Sequence, residues 1–236
     1  MRASRALGAT LRHSFSTRAV TQSARSIGIR FLLQNPSFNP SRRLVVGTRA
    51  YSAQNASRAT SVPDQNRADL FYHLVQPPTP LSRDKPAHAL SFLESPPANG
   101  SSCTVLGWLP TTGSQAGLND FVENRKFRDI LHRAIQDGLR KDVDDIQRNG
   151  ALQLTSGWMH IHDDRNIPPL GRIGDPDDII GTVLVEDGKI LPETYAGMPS
   201  YRICTADGPT QLTPGLAQHL HTLLVEEAQK EKDEFQ

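Results

Sequence analysis

The stretch that decides the fold is NRKFRDILHRAIQDGLRKDVDDIQRNG, residues 124–150. Its apolar residues recur at the three- and four-residue spacings of one helical face. These positions are Phe127, Ile130, Leu131, Ala134, Ile135 and Leu139, and Val143 and Ile146 extend the stripe. Gly150 follows Asn149 and can take the left-handed conformation that ends a helix. The pattern predicts one long central helix.

Short β-rich segments lie on both sides of this helix. Residues 103–109 and 158–162 have strand composition, and residues 201–205 form a third such segment. Asp187 and Gly188 separate two β-branched runs and predict a two-residue hairpin. Asp175 and Pro176 have the chemistry of a helix start, but only one turn fits before the next strand. In the segment 158–162, Trp158 and Met159 or Ile161 are expected to cover the core.

A last helix is predicted to begin at Thr213 and Pro214, with a buried face of Leu216, Leu220, Leu223 and Leu224. Strands that follow one another in sequence favour antiparallel pairing, with the helices packed on one face. We therefore predict a single α+β domain over residues 103–228, built on a small antiparallel sheet of four to five short strands. Residues 229–236 form a charged tail that is expected to fray.

Proline dominates the segment that precedes this domain. Pro77, Pro78, Pro80, Pro86, Pro96 and Pro97 exclude long helices. We predict a flexible Pro-rich arm over residues 52–102.

The N-terminus has the composition of a mitochondrial presequence. Before Asp64 there is no Asp, Glu or Lys, whereas Arg occurs ten times among frequent Ser and Thr residues. Cationic amphipathic segments of this kind are drawn inward by the potential of the inner membrane. A disordered presequence over residues 1–51 is predicted, and with it a location in the mitochondrial matrix. A basic arm that binds nucleic acid is the alternative interpretation.

The end of the presequence can also be predicted. Arg49-Ala50-Tyr51-Ser52 resembles a processing site at which one peptidase cuts after Ala50 and a second removes Tyr51, so that Ser52 becomes the first residue. The pair Arg42-Arg43 offers another cleavage point.

Removal of the presequence reverses the charge of the chain. The full chain carries +1, but without residues 1–51 it has 17 basic and 25 acidic side chains, a net charge of about −8. Such a domain is repelled by phosphate backbones and anionic lipid, so direct binding of nucleic acid is disfavoured. No apolar run approaches the length of about 18 residues needed for a transmembrane helix, and peripheral membrane contact stays open. Cys103 and Cys204 lack metal-binding spacing and are expected to be buried thiols.

The cluster His160-Ile161-His162-Asp163-Asp164 is the strongest candidate for chemistry. Residues two apart on a strand share a face, so His160 and His162 can point the same way, and Asp164 can complete a site for zinc, iron or manganese. The alternative is that these polar residues form the exposed face of a half-buried strand and alternate with residues that cover the core.

A second candidate is the loop around residues 165–178. Arg165 and Arg172 can bind a small anionic ligand as a pair. The alternative, which we prefer, is an ion-pair network in which they hold the acidic turn of Asp175, Asp177 and Asp178.

Several sequence blocks carry a resemblance. They include Gly157-Trp158-Met159-His160-Ile161-His162-Asp163, residues 171–181 and Leu191-Pro192-Glu193-Thr194-Tyr195. Over about residues 103–225 the chain resembles a poorly characterised family of fungal mitochondrial proteins. It is also similar to a yeast protein grouped with the mitochondrial ribosome and gene-expression assemblies. The resemblance implies a mitochondrial accessory role and supplies no catalytic residues.

No complete catalytic motif occurs in the sequence. The leading hypothesis is therefore a non-enzymatic accessory protein of the matrix without a cofactor, which docks on a larger mitochondrial protein complex of the gene-expression or respiratory-chain machinery. The alternative is a small metal-dependent or anion-binding enzyme centred on residues 160–164.

Overall fold

The amphipathic stretch forms helix α1 (Arg125–Arg140) in the computed structural model, which describes residues 61–111, 118–169, 172 and 174–234. The Asn124 side chain caps the helix by accepting a hydrogen bond of 3.1 Å from the Lys126 N–H. The predicted apolar face, from Phe127 to Leu139, is buried. Periodicity alone therefore located this helix and its buried side.

The helix does not continue to Asn149, so the prediction of one long helix was wrong. The chain turns at Asp142, which has a φ of 53°, and a second helix, α2 (Asp145–Leu154), begins after Asp144. Gly150 lies inside α2 and does not end it. The apolar stripe concealed the break because Val143 and Ile146 keep the helical spacing across it.

Asp144 caps two helices at once. One oxygen of its carboxylate, Oδ1, accepts hydrogen bonds from the Ile146 and Gln147 N–H groups in the first turn of α2. The other oxygen, Oδ2, accepts a 3.1 Å bond from the N–H of Leu216, which lies in the first turn of α3 (Pro214–Glu234). The side chain is almost fully buried, with 4% of its residue surface exposed. It therefore fixes the start of α3 against the start of α2.

The strands form two main antiparallel sheets. Five strands pair in sequence order: β1 (Ser61–Pro63), β2 (Phe71–Val75), β3 (Ala87–Ser91), β4 (Val105–Pro110) and β5 (Val122–Glu123). A second sheet has the order β6 (Gly157–His162), β7 (Ile179–Glu186) and β8 (Lys189–Gly197). The predicted α+β class is confirmed, although the strands are divided between two main sheets and a small pair.

That small pair consists of β9 (Cys204–Thr205) and β10 (Gly208–Pro209). The sequence predicted a strand over residues 201–205, but only its last two residues form one. β7 and β8 are joined at the predicted hairpin, where Asp187 and Gly188 both have positive φ, as a primed turn requires.

The Pro-rich segment contributes three strands, so residues 61–102 are not the flexible arm that was predicted. The prolines lie mostly between strands, where a missing N–H costs no ladder bond. Strands of five residues fit between them. Leu70, Leu90 and Leu93 are buried in the main core together with α1, which makes this segment part of the domain.

The C-terminal helix α3 packs on α1 and buries Leu216, Leu220 and Leu224 as predicted, whereas the fourth predicted residue, Leu223, is half-buried. It continues to Glu234, so residues 229–234 are helical, whereas a charged tail over residues 229–236 was expected to fray. Glu231 explains this, because its carboxylate accepts hydrogen bonds from the Ser102 hydroxyl and the Cys103 N–H. Among the described residues, no helix combines the length and apolarity needed to cross a bilayer.

Replacing Asp144 tests the double cap. Asp144→Ala leaves N–H groups of two helix starts without their acceptor, and each lost cap costs about 1–2 kcal/mol. We expect the free energy of unfolding, measured by urea titration, to fall by about 2–4 kcal/mol. Asp145→Ala is the matched control, because its exposed carboxylate contacts only Arg148 on the surface. Equal effects of the two substitutions would contradict the double-cap role.

Candidate functional site

Strand β6 places its side chains on two faces. Met159 and Ile161 point into the core, whereas Trp158, His160 and His162 lie on the opposite face. The expectation that Trp158 covers the core was wrong, since 58% of its surface is exposed. Trp158 is two residues before His160 and four before His162, so it lies on the same face of the strand as both histidines.

The exposed face of this sheet continues across β7 and β8. Trp158 pairs with Leu184, which pairs with Leu191. In the next row, His160 pairs with Thr182, which pairs with Ala196. We call this surface the outer sheet face, and it consists of Trp158, His160, His162, Thr182, Leu184, Leu191 and Ala196. The helices pack on the other side, where Met159, Ile161, Val183 and Val185 are buried.

The two histidines of the outer sheet face are neighbours. Their ring centroids are 6.0 Å apart, and both Nδ1 atoms are shielded from solvent without a hydrogen-bond partner in the described part of the chain. Burial lowers the pKa of His162, and the neighbouring His160 lowers it further, against the opposing effect of Asp178. This arrangement brings together two of the three residues predicted to bind metal.

The third predicted ligand, Asp164, is not brought into a metal site with them. It begins a one-turn helix (Asp164–Asn166), and its backbone N–H donates to the Gln211 carbonyl oxygen. Burial raises the pKa of its carboxyl, as do the nearby charges of Asp163 and Asp144. Across residues 61–111, 118–169, 172 and 174–234, no group of three His, Cys, Asp or Glu side chains could hold a metal ion. Metal binding by His160, His162 and Asp164 stays a prediction.

Asp163 points inward and is fully buried. Its Oδ2 atom lies 2.8 Å from the Tyr201 hydroxyl and 2.9 Å from the Thr210 hydroxyl. Its Oδ1 atom accepts hydrogen bonds from the backbone N–H groups of Arg165 and Gln211. The Tyr201 and Thr210 hydroxyls are also in contact with each other. The sequence offered no signal for these two partners, because they lie about 40 residues away.

Arg165 lies beside this carboxylate and is also buried, with 2% of its side chain exposed. The guanidinium has five N–H donors, and the structure contains five hydrogen bonds from it. Nε donates to the Asp178 carboxylate at 2.9 Å. The two Nη atoms donate to four carbonyl oxygens, those of Ile203, Gly208, Asp177 and Arg202. Asp163, Arg165, Asp178, Tyr201 and Thr210 are called the polar cluster below.

The geometry favours the structural role over the anion site for Arg165, since none of its N–H groups is left for an external ligand. Its contact with Asp178 is one of the ion pairs with the acidic turn that we preferred from the sequence. Arg172 is exposed, and its backbone N–H bonds the Pro169 carbonyl oxygen. Anion binding at Arg172 stays a prediction.

A cleft of about 410 Å³ lies against the polar cluster. Four of its nine lining residues are acids, namely Asp175, Asp177, Asp178 and Asp207, and Arg202 and Cys204 also line it. Burial raises the pKa of the Cys204 thiol to about 11, against the effect of Arg165. Burial and Glu231 raise the pKa of Cys103 to about 12. Both thiols are therefore protonated near neutral pH, which disfavours either as a nucleophile.

Two other histidines have structural partners. His132 contacts the Tyr195 hydroxyl at 2.9 Å through Nδ1, and its ring lies against Gly197, where an added Cβ would come within 2.7 Å of it. His219 contacts the Asp137 carboxylate at 2.9 Å. The predicted presequence, with the predicted processing residues Arg49, Tyr51 and Ser52, lies outside the described residues.

No protein-family model, curated protein or solved structure matches this chain. Its function is therefore argued from the outer sheet face, the polar cluster and the acidic cleft.

Replacing Arg165 tests the polar cluster. Arg165→Met leaves two buried carboxylates without their cation, and breaking a buried pair in this way costs about 3–5 kcal/mol. We expect a loss of that size in the free energy of unfolding measured with urea. Tyr201→Phe is the milder variant and should cost about 1–2 kcal/mol, because only one hydroxyl is lost. Arg172→Met is the control, and an equal effect there would contradict the role of Arg165.

The histidines predict how stability depends on pH. Burial lowers the pKa of His73, His88, His132 and His162 below the ordinary value of 6.5. Below about pH 6.5 the unfolded chain therefore binds more protons than the folded one. The free energy of unfolding consequently decreases as the pH is lowered. We expect urea unfolding to require less denaturant at about pH 5.5 than at about pH 8. His132→Gln should reduce the difference, and a stability that is constant or rises toward low pH would contradict the assignment.

Proposed function

We propose that this protein is a non-enzymatic accessory protein of the mitochondrial matrix that docks on a larger protein assembly of the gene-expression or respiratory-chain machinery. The observation that supports docking is the exposure of Trp158 on the outer sheet face. A large apolar side chain gains free energy when it leaves water. Tryptophan is enriched among the residues that dominate protein interfaces.

The neighbours of Trp158 extend this exposed apolar surface. Leu184 and Leu191 continue its row across the sheet and are half-buried, and Ala196 in the next row is exposed. Contiguous exposed apolar surface on a folded domain commonly marks a contact site. The row therefore supports a protein partner.

The polar cluster supports a structural role for the charged residues of this region. Its Arg165 donors are all bonded within the chain, and the Asp163 carboxylate accepts four hydrogen bonds. Catalytic acids and bases need access to a substrate, and Asp163 is fully buried. The negative charge of the chain beyond residue 51 disfavours contact with phosphate, which supports protein rather than RNA as the partner.

Sedimentation of the tagged protein from gently lysed mitochondria tests this proposal. We expect migration with a large particle that persists after RNase treatment, because the contact is with protein. Trp158→Ala should shift much of the protein to the free fraction. Val225→Ala is the matched control, since Val225 is an exposed apolar residue on α3. Migration of the wild-type protein as a free small protein would overturn the proposal.

A further inference from the structure

The outer sheet face belongs to a segment in which acidic side chains outnumber basic ones. Residues 157–211 contain nine acidic and four basic side chains, a net charge of −5. The helical segments 125–154 and 214–234 together contain nine basic and ten acidic side chains, a net of −1. The segment that contains the three-stranded sheet is thus more negative than the helical segments.

Two of the four basic side chains in this acidic part are paired with acids. Arg165 is buried in the polar cluster, and Arg202 pairs with Asp177 at 3.5 Å. Lys189 lies opposite Glu186 in the β7–β8 ladder. The exposed charges left over are therefore mainly negative, and they include Asp175, Asp187, Glu193 and Asp207.

Acidic side chains lie near both ends of the strands that carry the apolar row. His162, at the end of β6, pairs with Ile179, the first residue of β7. Asp175, Asp177 and Asp178, which line the acidic cleft, directly precede Ile179. The cleft thus lies at the His162 end of the sheet, and Glu186 with Asp187 lies at the other end. The exposed acids Asp175 at one end and Asp187 at the other therefore flank the strands that carry Trp158 and Leu184.

We propose that the outer sheet face binds a positively charged protein segment that also carries apolar side chains. This inference rests on the proposed docking function and names the chemistry of the partner. Apolar side chains of the segment cover Trp158, Leu184 and Leu191. Its Lys or Arg side chains face the surrounding carboxylates, and complementary charge of this kind steers association and selects partners.

Charge also disfavours the other occupants of this face. A second copy of the chain without residues 1–51 carries the same net charge of about −8 and is repelled. Nucleic acids and anionic lipid surfaces are repelled for the same reason. An acidic protein segment lacks complementarity with the cleft. A basic protein segment is the occupant that satisfies both the apolar and the electrostatic requirement.

Two synthetic peptides test the inference. They have equal length and the same apolar residues at alternate positions, with Lys at the remaining positions of one peptide and Glu in the other. Binding to the C-terminally tagged protein, purified from its host cells after a high-salt wash, is measured by fluorescence anisotropy. We expect the lysine peptide to bind at least about tenfold more tightly, with an affinity that falls as salt is raised.

Variants locate the binding site. Trp158→Ala should weaken binding of the lysine peptide by about tenfold or more, and Asp175→Asn with Asp177→Asn should reduce its preference over the glutamate peptide. Val225→Ala should leave the affinity unchanged. Failure of the lysine peptide to bind, equal affinity for both peptides, or an unaffected Trp158→Ala variant would each overturn the inference.

Self-association is measured separately by sedimentation equilibrium. A dimer that Trp158→Ala dissociates would overturn the inference by identifying a second copy as the occupant. Peptides that fail while the wild-type protein still migrates with a large particle would overturn only the chemistry of the partner. A wild-type protein that migrates alone would overturn the docking function itself.

Discussion

Arg165 carries its positive charge in a site from which water is almost excluded, and such a charge is tolerated only when it is paired and hydrogen-bonded. The structure meets this requirement in full. The guanidinium bonds the Asp178 carboxylate and four backbone carbonyl oxygens, and its carbon atom lies 5.6 Å from the centre of the Tyr201 ring. The arrangement of residues 201–210 depends on this contact, because three of the four carbonyl groups belong to that segment.

Residues 201–210 have little regular secondary structure, so their backbone groups need other partners. Besides Arg165, three side chains from distant parts of the chain supply them. Arg67 donates to the carbonyl oxygens of Pro209 and Thr210, Arg128 donates to that of Tyr201, and the Glu123 carboxylate accepts from the Ile203 N–H. Arg67 follows β1, Arg128 lies on α1, and Glu123 is the last residue of β5. The segment thereby links the five-stranded sheet to the three-stranded sheet.

Two kinds of polar residue occur close together in the chain between residues 160 and 178. Asp163, Arg165 and Asp178 are buried and bonded within the fold, whereas His160 and His162 lie on the outer sheet face and Asp175 and Asp207 are exposed. The polar cluster fixes the end of β6 and the start of β7, and these two strands carry most of the outer sheet face. The proposed function uses this division. In that proposal, the acids near the two ends of the face attract and orient a partner, and the exposed Trp158 is its main apolar contact.

The sequence by itself determined the elements that depend on local pattern: α1 and its buried face, the strands around residues 103–109 and 158–162, the Asp187-Gly188 hairpin and the start of α3. It also determined the charge asymmetry that underlies both proposals. Only the tertiary structure decided that the helix breaks at Asp142, that the Pro-rich segment forms strands, and that Trp158 is exposed. Tertiary contacts likewise decided that Asp163, rather than Asp164, lies in the polar cluster with Arg165. Periodicity reports which residues share a face, but burial and hydrogen bonding depend on partners that lie tens of residues away, and no local pattern records those partners.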